Sequence, residues 1–306
     1  MRILQRLLWI VVAALFSVPI LAQTNPLWHE QKIKNYLPHM TRPEVEDLLK
    51  RTDMVILPIP SMEQHARHLP IGTDFLLGIE RAKLIAQKTD VLVAPVMMVG
   101  SAPYHMGFPG TMSLSFDTIQ RVYFEVAQGL VRHGFKRILV MNSHNGNLNV
   151  SRYLVDRINQ ETEGIAIELG EASAPFFVKS TRPPSKKLDG HAGVGETSAG
   201  LYLFPNLVDM ANAVPPVLTL PEHVQKLVPL LLAGDPTAQR LFSAETMKPR
   251  ETGKRTSARE MSSTGGSGER DPKESTLDQG REETENSVNA AVQFIERWKQ
   301  LRPILR

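Results

Sequence analysis

Apolar positions along the chain fall into two alternating rhythms. Met54 to Ile59 (MVILPI), Val91 to Val99 (VLVAPVMMV), Arg137 to Met141 (RILVM) and Ile165 to Leu169 are short, largely apolar runs with β-branched residues, the pattern of buried strands. Helical spacing fills the stretches between them. Thr41 to Arg51 opens with a cap residue, an early Pro43 and acids in its first turn. Phe75 to Lys88 repeats Leu76, Ile79, Ala82, Leu84 and Ile85. Asp117 to His133 is amphipathic and ends at Gly134, and Asn149 to Gln160 is again helical. Glu282 to Leu301 carries Val288, Ala291, Val292, Ile295 and Trp298 on one face. Strand and helix alternating in this way predict an α/β fold, with a mostly parallel sheet covered on both faces. Pro26 to about Tyr36 reads as a lead-in. Glu251 to Asp278, rich in Ser, Thr, Gly, Lys and Glu, reads as a mobile segment or a long functional loop.

The start of the chain departs from both rhythms. Arg2 and Arg6 precede an uncharged run, Leu7 to Leu21, and Ala22 is a small residue suited to cleavage before Gln23. The run of about 15 residues is short for a membrane span, which needs roughly 20. Residues 1–22 are therefore expected to be a signal peptide that sends the protein to the periplasm or the medium. Residues 23–306 are expected to form one domain with no stable membrane association after cleavage.

Composition narrows the chemistry. The 306 residues are 42% hydrophobic, enough for a substantial core. The formal charge of +3 comes from 35 basic and 32 acidic residues, which leaves no electrostatic footprint for nucleic acid. The absence of cysteine excludes disulfides, thiolate metal sites and a cysteine nucleophile. A metal would have to be held by His, Asp or Glu.

Two polar clusters follow strand ends, where open α/β sheets place their ligands. The first runs from Ser61 to Asp74 and contains Glu63, His65, His68 and Asp74; the second, Asn142 to Asn147, contains His144. In extended backbone Glu63 and His65 point to one side. Asp74, after the Gly72 turn, has the reach to return to the same point, and His144 arrives from another strand end. Such a set suits zinc, manganese or iron(II), and an Asp74 carboxylate is able to bridge two ions. Each residue also has a plainer reading: Asp74 as a helix cap and His144 as a turn residue.

Five blocks in order carry a resemblance. Pro58 to Asp74 (PIPSMEQHARHLPIGTD), Pro103 to Leu114 (PYHMGFPGTMSL), Asn142 to Asn147 (NSHNGN), His191 to Ser198 (HAGVGETS) and Gly265 to Gly280 (GGSGERDPKESTLDQG) are similar to the creatininase family of amidohydrolases. The resemblance runs from roughly Glu44 to Ile295. It implies a three-layer αβα sandwich, a site for two divalent ions (Zn, Mn or Fe(II)) and a homo-oligomer, with a hexamer among its forms. The family's ligands match Glu63, His65, Asp74 and His144, with Asp74 as the bridge. Glu63 and His144 then belong to one ion and His65 to the other. Creatininase itself completes the second ion with a glutamate two residues after the histidine; Gly146 stands there in this chain. Glu196 is the expected replacement, as ligand or as general acid–base, against the plainer reading of a helix N-terminal acid. His191 matches a position that passes a proton to the leaving nitrogen, and an imidazole suits that task. His68 reads as a supporting residue and His105 as a pocket residue.

These readings imply an exported metal-dependent amidohydrolase in which metal-activated water attacks a non-peptide or cyclic amide. The partner is a small molecule. Creatininase sets tryptophan against its substrate before the catalytic histidine. The only tryptophans here are Trp9, Trp28 and Trp298, which points away from creatinine. The alternatives are creatinine amidohydrolase proper and a non-catalytic metal- or ligand-binding protein. The Gly-rich phosphate loop expected of a phosphoryl-transfer enzyme is missing from the sequence.

Overall fold

The computed structural model describes Asn25, residues 30–95, 97–180, 182–183, 185–248 and 257–304. The expected signal peptide lies outside the described residues. By its internal packing the chain divides into two units, Met1–Ile33 and Lys34–Arg306.

Four strands, β1 (Met54–Ile59), β2 (Leu92–Val93), β3 (Arg137–Asn142) and β4 (Ile165–Glu168), form a parallel sheet in the order β2-β1-β3-β4. The helices of eight residues or more are α1 (Arg42–Leu49), α2 (Thr73–Thr89), α3 (Phe116–Arg132), α4 (Leu148–Glu161), α5 (Val194–Leu203), α6 (Pro236–Thr246) and α7 (Leu277–Leu301). β1 is central and every residue in it is buried. Because side chains alternate across a strand, Val55, Leu57 and Ile59 pack with residues of α1, α3 and α4, while Met54 and Ile56 pack with α2 and α7. The result is a three-layer αβα sandwich, in agreement with the sequence pattern. Full burial of an Ile or Leu contributes roughly 2–3 kcal/mol, so β1 is the part of the sheet least tolerant of truncation.

Three expectations need correction. The strand expected over Val91 to Val99 is only Leu92–Val93, because Pro95 cannot donate to a ladder and the chain leaves the sheet there. It then runs toward the site as the loop carrying Tyr104 and His105. The last helix begins at Leu277, five residues before the periodic pattern. Thr276 caps it by accepting from Gln279 N. Gly280 lies inside it because a Cβ at that position would sit 1.8 Å from Ser198 O, so only glycine lets α7 approach α5. Of the two readings of Glu251 to Asp278, the mobile one gives way from residue 257 onward to a built loop: Ser257–Met261 is a short helix, and Ser262, Gly265 and Pro272 are buried. It is held by hydrogen bonds to the site. Residues 251–256 lie outside the described residues.

Candidate active site

The site gathers at the carboxyl ends of β1 and β3. Beyond Ile59, Glu63 N donates to Ile71 O and Met112 N to Met62 O, which pins the stretch bearing Glu63 and His65. Asp74 enters from the first turn of α2. It is not the cap, which is Gly72. His144 follows β3, and Glu196 lies in the first turn of α5.

These side chains converge. His144 Nδ1 is 2.9 Å from Asp74 Oδ2 and 3.3 Å from Glu63 Oε1. His65 Nε2 is 3.4 Å from Asp74 Oδ1 and 3.8 Å from Glu196 Oε2. Ligand atoms of Glu63, Asp74 and His144 lie within 4.8 Å of one another, and so do those of His65, Asp74 and Glu196, with Asp74 common to both groups. His191 joins Glu63 and His65 in a third such group.

The imidazole tautomers follow from carbonyl partners, since a carbonyl only accepts. His144 Nε2 lies 2.9 Å from Ser101 O and so carries the proton, leaving the Nδ1 lone pair toward the carboxylates. Tyr104 Oη stands 3.0 Å from the same Nε2. His65 Nδ1 donates to Glu63 O at 3.0 Å, leaving Nε2 free inward. His191 Nε2 donates to Gln64 O at 2.6 Å, so its Nδ1 faces Glu63 Oε1 at 3.6 Å. Backbone contacts thus aim one unshared nitrogen pair from each ring at the carboxylates, the arrangement that metal-ligating histidines require.

Three inward atoms, Glu63 Oε2, His65 Nε2 and Asp74 Oδ2, are buried and have no hydrogen-bond partner. Burying a carboxylate costs several kcal/mol unless positive charge compensates it. The local field shows the same demand. Burial opposes charge on the His65 ring, yet Asp74, Glu196 and Glu63 outweigh it and raise that ring to about 10. Burial likewise opposes charge on His144, but Glu63 and Asp74 push it well above the ordinary imidazole range. Asp74 is held well below the usual carboxylate range, against burial, by His65 and His144. Divalent cations would replace protons at these points, so the residues present fit a metal centre. His105 shows the opposite shift: burial, reinforced by His191, His65 and His144, drives its pKa down and keeps it neutral.

The missing side chain at Gly146 has a steric cause. A Cβ there would lie 2.3 Å from Ser101 O and 2.4 Å from both Tyr104 Oη and His144 Nε2. Tyr104 fills the space, and no ligand can enter from position 146. Glu196 stands beside His65 instead; its Oε2 also accepts from Ala192 N at 2.7 Å, so the helix-start role and the place at the site coexist. His68 is bonded to Thr197 Oγ1 at 2.8 Å, next to Glu196, and takes no part in the three groups. His105 lies under Glu63, its Nε2 3.6 Å from Oε1, and its ring stacks on His191.

Sequence reasoning missed Tyr104, Ser101, Gln64 and Arg81. Gln64 donates to His105 Nδ1 at 2.9 Å and to Gly265 O at 3.0 Å, tying the glycine-rich segment to the site. Ser267 clasps the loop of His191 in both directions: its Oγ accepts from His191 N and its N donates to His191 O. Gln64 and Tyr104 sat inside motifs already singled out, where only their titratable neighbours drew attention.

The family described as "Creatininase: Creatinine amidohydrolase" matches residues 38–295. The 3-dehydro-scyllo-inosose hydrolase of Thermotoga maritima is 31% identical over 64% of this chain; the match spans 66% of that protein, just under two thirds of its length. The creatinine amidohydrolase of Pseudomonas putida is 29% identical over 69% of this chain and 87% of its own. A mycofactocin precursor peptide peptidase of Mycolicibacterium smegmatis is 28% identical over 63% and 78%. A solved creatininase variant of the "Zn-Zn type" superposes with a TM-score of 0.63 at 21% identity, over 90% of this chain and 100% of its own, which shows the shared fold. The chain belongs to the creatininase family of amidohydrolases.

Proposed function

We propose that this chain is an exported, metal-dependent amidohydrolase that opens a small non-peptide or cyclic amide. The observation that carries the reading is the set of buried, unpartnered atoms on Glu63, His65 and Asp74 facing one another beside His144 Nδ1. Glu63, Asp74 and His144 would hold one divalent ion, and His65, Asp74 and Glu196 a second. Such ions supply Lewis acidity and lower the pKa of water toward neutrality. The identity of the ions is Zn, Mn or Fe(II) on donor type. Solved creatininases titled "Zn-Zn type" and "Creatininase Mn" support zinc and manganese alike.

The chain's own residues supply the rest. His191, with Nε2 tied to Gln64 O, keeps Nδ1 available at the edge of the site to take a proton and give it to the departing nitrogen. Glu196, one-third exposed, is the second group placed to exchange a proton. Neutral His105 packs on His191 and limits the directions in which that ring can turn. Arg2, Arg6 and the apolar run behind them support export. The family supports a homo-oligomer, in keeping with the symmetric assembly of most soluble oligomers.

The substrate named for one relative is creatinine, for another a dehydro-inosose. Between Trp28 and Trp298 the sequence has no tryptophan, so the stretch before His191 lacks the stacking residue expected for creatinine, and Trp298 packs on Phe294 in α7. Creatinine turnover is therefore expected to be weak. Elemental analysis of protein purified from the exported fraction, followed by assays of formamides, lactams and creatinine with the metal found, tests the reading. Metal at about two equivalents with lactam or formamide hydrolysis supports it. Full hydrolytic rate in metal-free protein, or a dominant creatinine activity, overturns it.

A further inference from the structure

A cavity of about 280 Å³ shares its wall with the proposed metal centre: Asp74, Ser143 and Glu196 line it together with Arg81, Asp189 and Glu283. Arg81 is its only cationic lining residue. It projects from α2, two turns beyond Asp74. Its Nε is buried and has no hydrogen-bond partner. Two of the neighbouring acids also have other partners. Asp189 accepts from Val194 N at 2.7 Å and Gly195 N at 2.9 Å and lies 3.8 Å from Arg270, and Glu283 accepts from Gln279 Nε2 at 2.9 Å. Burial depresses the Arg81 guanidinium, against the pull of Glu196, Glu283 and Asp74. A guanidinium sheltered from water without a partner is costly to keep. With Asp74 and Glu196 serving cations, less of their attraction is left for Arg81, whose Nε has no partner beside the cavity. A guanidinium matches a carboxylate in two-point geometry.

We infer that Arg81 is a specificity-determining residue that binds a carboxylate carried by the substrate, so that the physiological amide is anionic. This rests on the hydrolase reading above and names the substrate class for the same site. The cavity has room for a group of a few atoms next to the reacting amide, and Glu196 on its wall places that group beside the second ligand cluster. The carboxylate fixes orientation; the amide is then presented to the metal side.

The experiment uses metal-loaded enzyme with N-formylglycine and its neutral counterpart N-formylglycinamide. Wild type is expected to favour the acid through a KM lower by about tenfold or more, the size of a charge-assisted contact. Arg81→Met should collapse that ratio toward unity, while Arg81→Lys keeps part of it. Equal KM ratios in wild type and Arg81→Met overturn the inference. So does a variant that loses only thermal stability, which is the result expected if Arg81 merely pairs with Glu283. Should neither probe be hydrolysed, calorimetric binding of succinate reads the same residue without turnover. Binding to wild type that is lost in Arg81→Met sustains the carboxylate site even if the hydrolase reading fails, and no difference between the two sinks it.

Discussion

His144 illustrates how much of a ring's behaviour is set by atoms on the side away from the carboxylates. Ser101 O fixes its proton on Nε2, and Tyr104 Oη lies against the same edge, in the space where a side chain at position 146 would have been. Burial, with Glu63 and Asp74, raises the Tyr104 hydroxyl far above its ordinary range, so it stays neutral. Tyr104→Phe should therefore leave the fold intact and weaken metal retention by about 10- to 100-fold, the usual cost of losing an outer partner of a ligand. Competition with a chelator measures it; unchanged retention would assign Tyr104 a packing role only. At this scale the sequence revealed the titratable residues well. Glu63, His65, Asp74, His144, His191 and Glu196 were all visible as candidates, and the structure brings them together. Arg81 was invisible because a lone arginine on an amphipathic helix looks like a solvated charge; only its position opposite Glu196 and Glu283 reveals the cavity.

At the scale of elements, the glycine-rich segment contributes more than its composition suggested. Gly265 has φ of +89°, and a Cβ on it would lie 2.1 Å from Gln64 Oε1. Gly265→Ala should cost about 1–3 kcal/mol through backbone strain and overpacking. It should also lower kcat by displacing Gln64 and, with it, the tautomer-fixing contact on His105. Chemical denaturation and steady-state rates check the two effects, and a variant of wild-type stability contradicts the segment's role as a fixed wall. Composition could not show this, since Ser, Gly and Lys are used alike by solvated loops and by close backbone contacts. The end of α2 offers a pH test. Asp90, with φ of +54°, meets Arg51 Nε at 3.0 Å, Asn35 Nδ2 at 3.0 Å and Lys34 Nζ at 2.9 Å. Burial pushes its carboxyl up, but Arg51, Asn35 and Lys34 together outweigh that and hold it below the usual range. A depressed carboxyl stabilises the fold fully above about pH 4 and loses that contribution as pH falls through its folded value. Asp90→Asn, which tolerates the left-handed backbone, should thus be less stable than wild type by roughly 0.5–1 kcal/mol at pH 7. The gap should close below about pH 4. A gap that widens on acidification refutes the assignment.

For the whole molecule, the two ends of the sheet have separate tasks. At the amino-terminal end Arg137 is almost wholly buried; its Nε donates to Asp53 Oδ1 at 2.7 Å and its Nη1 to Arg302 O at 2.8 Å, which closes the sheet against the chain after α7. At the carboxyl end the loops after β1 and β3 are free to carry chemistry, as the rule for open parallel sheets anticipates. The strand–helix rhythm was legible because buried parallel strands and amphipathic helices have different periods. The convergence of Asp74 and Glu196 on His65 was not, because it depends on where α2 and α5 start in space. Among the described residues no helix is long and apolar enough to cross a membrane. The central claim is that two cations share Asp74, and isothermal titration of metal-free wild type and Asp74→Asn with Zn²⁺ addresses it most directly. The account predicts two equivalents bound by wild type and none bound tightly by the variant. Two equivalents bound with equal affinity by both proteins would contradict it.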